Sequence, residues 1–213
     1  MKKSLLGNRS MTPKQDYDTR MEIIEHAVVS ILEAMNEDLR EGLEQTPRRV
    51  ALMLLNEVCR NGDPLERELS TMFVEEKIVR EQIVIKDIPF YSFCEHHLIP
   101  YFGKVSVGYI PKAKVVGLSK IARLTAAASK GFTIQERVTE GIADALEQKL
   151  EPIGVAVVVE AVHTCMVVRG VKALGSSTVT SALRGLYRDS GDARSEFLNL
   201  VGRTATNGLG SII

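Results

Sequence analysis

The 213-residue sequence predicts an α+β fold, an antiparallel β-sheet backed by helices and preceded by an N-terminal helical arm. Three observations carry that prediction. Apolar residues recur at helical spacing through the first third of the chain. Beyond about Lys77, β-branched residues appear in alternating or nearly continuous runs. Past that point the texture runs strand pair, helices, strand pair, the order of a sheet carrying helices on one face. The chain divides accordingly into an arm over residues 1–76, a sheet-bearing domain over 77–203, and a tail over 204–213 expected to be mobile.

Taken in order, the arm opens with an amphipathic helix from Asp18 to Asn36. Ile23, Ile24, Ala27, Val28, Ile31, Leu32 and Met35 form its apolar stripe, and Glu22, Glu25 and Glu33 fill the other face. A second helix starts at Thr46-Pro47, with threonine as N-cap and proline at the first helical position, runs through Val50 to Cys59 and stops at Asn61-Gly62. Gln82 to Lys86 and Lys104 to Tyr109 read as strands. Helical patterning returns between Ser119 and Leu150. Ser119 is placed to cap one helix, while Thr133 and Glu136 form a capping box that opens another through Ile134, Val138, Ile142, Ala145 and Leu146. Gly154 to Arg169 holds Val155, Val157, Val158, Val159, Val162, Val167 and Val168, the strongest strand signal in the sequence. Thr178 to Leu183 adds a strand and Asp192 to Val201 a last helix.

Composition narrows the function. A hydrophobic fraction of 45% with 25% charged residues is the ordinary globular balance and excludes a disordered, collagen-like or coiled-coil chain. Lys+Arg and Asp+Glu balance at 27 each, so the overall field draws the chain to neither nucleic acid nor an anionic membrane, and any bound anion must be held by a local cluster. Aromatic residues at 5% with no tryptophan argue against base-stacking platforms. The opening segment lacks a signal-peptide apolar region, and no apolar run approaches the ~18 residues that would span a bilayer, so a cytoplasmic location is expected. Three cysteines cannot all pair within the chain.

Chemistry concentrates in two short segments, Cys94-Glu95-His96-His97 and His163-Thr164-Cys165, which hold three of the four histidines and two of the three cysteines. Cys94 and His97 are three apart, a separation at which a turn offers thiolate and imidazole to one ion. His163 and Cys165 are two apart in the valine-rich strand, so alternation predicts both on one face with Thr164 on the other. Together these give a zinc site of Cys94, His97 and Cys165 whose fourth tetrahedral position is open to water, as in catalytic sites. A structural site would instead recruit His163 and close the shell. Cys59 is expected to be inert core and His26 to be surface.

A basic constellation lies in Gly117-Leu118-Ser119-Lys120-Ile121-Ala122-Arg123, where Lys120 and Arg123 share a face at a helix start that suits phosphate; Arg169 follows the strand that carries His163 and Cys165. Taken alone, such cations are ordinary solvated residues. The pattern of a zinc-dependent base deaminase, His-x-Glu with Pro-Cys-x-x-Cys, is absent.

In these residues the sequence resembles the GTP cyclohydrolase I family. The resemblance rests on Phe90-Tyr91-Ser92-Phe93-Cys94-Glu95-His96-His97, Gly103-Lys104-Val105, Tyr109-Ile110-Pro111, Gly117 to Arg123, Gln135-Glu136-Arg137, His163-Thr164-Cys165-Met166, Arg169-Gly170, Thr178-Val179-Thr180-Ser181 and Glu196-Phe197-Leu198, in order from about Thr46 to Val201. It implies a tunnelling fold whose subunits join into a homodecamer with active sites between subunits. It also implies conversion of GTP and water to 7,8-dihydroneopterin triphosphate and formate, with Zn2+ on Cys94, His97 and Cys165. His163 would protonate nitrogen 7 of guanine and His96 would assist ribose opening. Glu136, with Gln135 beside it, would hold the guanine edge. Ser119, counted with the catalytic set, would hold the triphosphate with Lys120, Arg123 and Arg169, and Leu118 would line the substrate site. The sequence departs from the family pattern at Leu52, where many relatives carry a basic residue, leaving Arg49 as the nearer candidate. Another tunnelling-fold purine or pterin enzyme, or a non-catalytic zinc-stapled assembly protein, are the competing readings. The former would typically use an all-histidine metal shell, for which this chain has too few histidines in strand context, and the latter would have no use for Glu136, Lys120, Arg123 and Arg169.

Overall fold

A computed structural model of the chain describes residues 12–37, 40–59, 72–74 and 81–202. The predicted helix stop at Asn61-Gly62, the arm-to-domain boundary at 76 and the tail from 204 lie outside the described residues. The chain forms two compact units, 1–59 and 60–213.

In the first unit, α1 spans Pro13–Ala34, and α2 spans Thr46–Met53 before widening into a π-helical turn at Leu54–Val58. α1 begins before Asp18 because its first turn is polar and invisible to apolar periodicity. Thr12 caps it: its Oγ1 accepts from the Gln15 N–H at 3.3 Å, the Gln15 side chain accepts from the Thr12 N–H at 3.0 Å, and Pro13 follows at the first position. In α2, Gln45 is the cap, so Thr46 is the first helical residue rather than the N-cap predicted for it. Met21, Ala51 and Leu55 form a small core with Tyr17, Ile24 and Leu52. Cys59 is half-buried and its Sγ accepts from Arg20 Nη2 at 2.7 Å, so it is a paired group and not the inert core residue expected; His26 is exposed as expected.

In the second unit, β1 (Met72–Val74) pairs antiparallel with β4 (Lys114–Val116). The main sheet has the order β5-β2-β3-β6-β7, where β2 is Ile83–Cys94, β3 Pro100–Ile110, β5 Phe132–Thr133, β6 Gly154–His163 and β7 Thr178–Gly185. Every pairing is antiparallel except the two-residue β5, which runs parallel to the end of β2. The helices are α3 (Leu118–Ala128), α4 (Gln135–Leu150), α5 (Thr164–Val167), α6 (Leu186–Asp189) and α7 (Gly191–Gly202). Among the described residues no helix is long and apolar enough to cross a membrane.

The main core lies where Val105, Val107, Val155, Val157 and Val159 of the sheet meet Ile121 and Leu124 of α3 and Val138, Ile142 and Leu146 of α4. Arg184 of β7 pins α4 from the sheet side, bridging to Glu140, to Asp144 at 2.7 Å and to Glu147 at 3.5 Å along one helix face. The expectation of helices on one face only needs correction at one end. Ala156 and Ile110 pack with Tyr187 of α6 and Phe197 of α7 on the opposite face, with Val158 beside them. With both faces covered there, β6 reads as a continuous apolar run, and alternation returns only at the exposed Glu160. Gly108 belongs to this close fit: a Cβ there would lie 2.7 Å from the Phe197 ring.

Two local expectations fail for one reason, that neighbouring backbone has already settled the chain. Thr133 is the second residue of β5, paired with Cys94, so Ile134 takes the cap position without a side-chain bond and the predicted capping box does not form. Gly117 is the N-cap of α3, its carbonyl accepting from the Lys120 N–H at 2.8 Å, which leaves Ser119 inside the first turn and not at the cap.

Candidate metal centre and active site

Strand β2 ends at Cys94 and a tight turn leads back into β3. The Cys94 N–H donates to the Ile99 carbonyl at 2.9 Å and the Leu98 N–H to the Cys94 carbonyl at 2.8 Å, with Leu98 in the left-handed region at φ 55°. The turn is held from outside by Arg137 of α4, which donates to Glu95 Oε2 at 2.8 Å and to Oε1 at 3.4 Å. That bond holds the Glu95 carboxyl below its ordinary value. The arrangement presents Cys94 and His97 together, with the Cys94 Sγ 3.8 Å from His97 Nδ1.

Cys165 reaches the same place by a different route from the one its spacing suggests. Strand β6 stops at His163, and Cys165 is the second residue of α5 rather than a strand residue sharing a face with His163. The strand cannot continue because the chain turns back at once, with the Thr164 hydroxyl bonded to the Pro100 carbonyl at the start of β3. The ligand atoms of Cys94, His97 and Cys165 all lie within 4.8 Å of one another; Cys94 is buried, Cys165 half-buried and His97 exposed. Burial, then the neighbouring Cys94, pushes the Cys165 thiol above its ordinary value, while Arg169 pulls weakly the other way. Two sulfurs and one imidazole within this radius fit a zinc-like ion with a fourth position left over.

His163 stays out of that group. Its ring stacks on Tyr101, centroids 4.6 Å apart and planes 5° from parallel, and its Nε2 is 2.8 Å from Gln135 Oε1. Desolvation lowers its pKa, against a smaller raising effect from Glu136. His96 is 66% exposed, with Nδ1 3.8 Å from Cys94 Sγ and Nε2 3.9 Å from Glu95 Oε1. The histidines thus separate into one grouped with the thiols, one stacked and hydrogen-bonded within the fold, and one facing solvent.

Of the other residues singled out by sequence, Leu118, Ser119 and Arg123 are exposed on α3 with Lys120 half-buried among them, while Glu136 at the start of α4 and Arg169 beyond α5 are exposed. Lys120, Arg123 and Arg169 carry no ion pair among the described residues, which leaves their charge available to an anion. Gln135 differs: at 1% exposure its side chain is turned into the fold. Sequence reasoning assigned no task to the Glu95–Arg137 pair or to Tyr101, although Glu95 and Arg137 stand inside the very motifs it used.

Residues 24–202 match the family model of GTP cyclohydrolase I. A protein of Halalkalibacterium halodurans named GTP cyclohydrolase 1 is 54% identical over 184 residues, covering 84% of this chain and 96% of that protein. Proteins of the same name from Geobacillus kaustophilus and Carboxydothermus hydrogenoformans are each 50% identical, covering 84% and 85% of this chain and 95% and 94% of their own lengths.

Proposed function

We propose, from the premise that this chain belongs to the GTP cyclohydrolase I family and is an enzyme, that it converts GTP and water to 7,8-dihydroneopterin triphosphate and formate with one zinc ion per chain. The observation that carries this reading is the convergence of Cys94, His97 and Cys165 within 4.8 Å, because two thiols and an imidazole with a free fourth position are the donor set of a catalytic zinc site. When bound, zinc lowers the pKa of water toward neutrality and so supplies a nucleophile near pH 7.

The chain's own residues divide the remaining work. His163 delivers a proton to nitrogen 7 of guanine, which makes carbon 8 electrophilic; an imidazole is the side chain suited to giving and regaining a proton near neutral pH. Glu136 accepts from the N–H groups of the guanine edge, as one carboxylate can from two parallel donors. His96, exposed beside the metal ligands, moves a proton during ribose opening. Leu118, 62% exposed at the first position of α3, offers an apolar contact to the substrate. Ser119, Lys120, Arg123 and Arg169 hold the triphosphate by charge-assisted hydrogen bonds, since a chain of zero formal net charge attracts no anion through its overall field.

Within this reading the tunnelling-fold subunits assemble into a decamer with sites between subunits. Supporting that, Tyr91, Phe102 and Val162 stand in register across β2, β3 and β6 on the face that α3 and α4 do not cover, with Tyr91 57% and Phe102 46% exposed. Incubating zinc-loaded protein with GTP, then measuring formate and the fluorescence of the oxidised pterin, tests the reaction. Absence of both products from folded, zinc-loaded protein overturns it.

A further inference from the structure

Gln135 is 1% exposed and every polar atom of its side chain faces protein. Its two Nε2 protons are shared among three acceptors, the Val159 carbonyl at 3.0 Å, the Thr178 carbonyl at 3.0 Å and Thr180 Oγ1 at 3.1 Å. A carbonyl oxygen only accepts, so the amide has one orientation: NH2 toward β6 and β7, and Oε1 toward His163. The neighbouring hydroxyls agree with that direction. Thr139 gives its proton to the backbone carbonyl of Gln135 at 2.8 Å, so across the 2.7 Å contact with Thr180 it is Thr180 that donates, and Thr180 Oγ1 is left to accept from the amide. With Oε1 an obligate acceptor 2.8 Å from His163 Nε2, that nitrogen must carry a proton. Stacking on Tyr101 at 5° holds the ring plane, and the Tyr101 phenol, pushed up to about 12 chiefly by burial, stays protonated near neutrality.

We propose that Gln135 is a positioning residue that, through this hydrogen bond, fixes His163 as its Nε2–H tautomer, so that Nδ1 is the one ring nitrogen left for the substrate. This rests on the assignment of His163 as the acid in the reaction above. The proton balance is simple. The cationic ring carries protons on both nitrogens, loses the one on Nδ1 to nitrogen 7 of guanine, and is left as the neutral Nε2–H form, in which the bond to Gln135 is undisturbed. The reading moves Gln135 from the guanine edge, where resemblance placed it beside Glu136, to the support of the acid. Adjacent helical positions point in different directions, and here Gln135 is buried while Glu136 is exposed.

Two measurements test it. Solid-state NMR of zinc-loaded protein carrying 15N-histidine, at a pH about two units above the ordinary imidazole value of about 6.5 so that the ring is neutral, reads which nitrogen of His163 holds the proton. Its signals are identified by their loss in His163→Ala. Protonated Nε2 with a lone pair on Nδ1 is expected, and the reverse tautomer overturns the proposal. No substrate is present, so this outcome is independent of whether GTP is turned over. The second is Gln135→Met, which keeps length and burial but removes the acceptor. It is expected to lower kcat for GTP by about 10- to 100-fold with KM and zinc content little changed, the usual scale for losing a supporting partner of a working side chain. A raised KM at unchanged kcat would mean that the amide contacts guanine, and would overturn the proposal. Should Gln135→Met not fold, the tautomer in the unaltered protein decides alone.

Discussion

Replacing Cys165 tests the metal centre where structure and sequence reached it by different paths. With Zn–S near 2.3 Å and Zn–N near 2.0 Å, a tetrahedral ion places two sulfurs about 3.8 Å apart and a sulfur and a nitrogen about 3.5 Å apart. The Cys94 Sγ to His97 Nδ1 distance is 3.8 Å, and no pair of the three donor atoms is more than 4.8 Å apart. Closing on the ion therefore takes a movement of about 1 Å or less, within reach of a side-chain rotation. Four-ligand zinc sites bind with roughly 10–16 kcal/mol near pH 7, or about 2.5–4 kcal/mol per ligand, so Cys165→Ala should weaken zinc by about 60- to 800-fold. The pH dependence supplies a second, independent reading. Because burial and Cys94 hold the Cys165 thiol above its ordinary value, it is protonated near neutrality and zinc must displace that proton. Affinity of the unaltered protein then rises with pH, and the variant should release about one proton fewer per ion, flattening log Kd against pH by about one unit of slope. Competition with a chromophoric chelator at several pH values measures both, and Cys165→Ser, which keeps the volume packed against the core, controls for lost packing. Unchanged affinity and slope in a folded variant would remove Cys165 from the ligand set.

His96→Ala and His163→Ala should each retain zinc by metal analysis while dihydroneopterin formation falls about 100-fold or more, the scale of a positioned acid or base; loss of zinc from His163→Ala would make that residue a fourth ligand. Arg123→Ala and Arg169→Ala should each weaken GTP by about 1.5–3 kcal/mol in kcat/KM and leave guanosine nearly unaffected; equal losses on both would make these cations structural. Gly108→Ala forces a Cβ to within 2.7 Å of the Phe197 ring and should cost about 1–3 kcal/mol, seen as a lower Tm at unchanged zinc content.

What could be read from sequence was whatever lay within a few positions along the chain. Cys94 and His97 are legible as a pair because three residues of turn suffice to aim both at one point, and the valine run of β6 is legible because burial on either face writes itself into consecutive positions. The start of α1 was equally local, with Thr12, Pro13 and Gln15 spelling a capping box, but a search led by apolar periodicity passes over a polar first turn. The bonds that aim the site were out of reach. Gln135 and His163 are 28 positions apart and Arg137 and Glu95 are 42 apart, and no local pattern marks two residues as partners once the sheet has folded between them. The one available signal was indirect: Gln135, Glu136 and Arg137 are three polar residues at the mouth of a helix whose buried face passes over β6 and β7, so at least one of them had to find a partner inside.

The misread strand end shows why that distinction matters for chemistry. Had β6 continued through Cys165, alternation would have put His163 and Cys165 on the same face, and one ion could have drawn in both. Because the strand stops at His163 and α5 begins at Thr164, the backbone rotates between them, and the two side chains enter different environments. Cys165 swings to the sulfur of Cys94, while His163 stays in register beside Tyr101 under the helix-covered face, where Gln135 can reach it. The break in the strand, anchored by the Thr164 hydroxyl on the Pro100 carbonyl, is thus what separates the proposed metal ligand from the proposed proton carrier two residues away. A zinc site that captured this histidine would be closed to water, and one that left it unsupported would have no defined atom from which to deliver a proton.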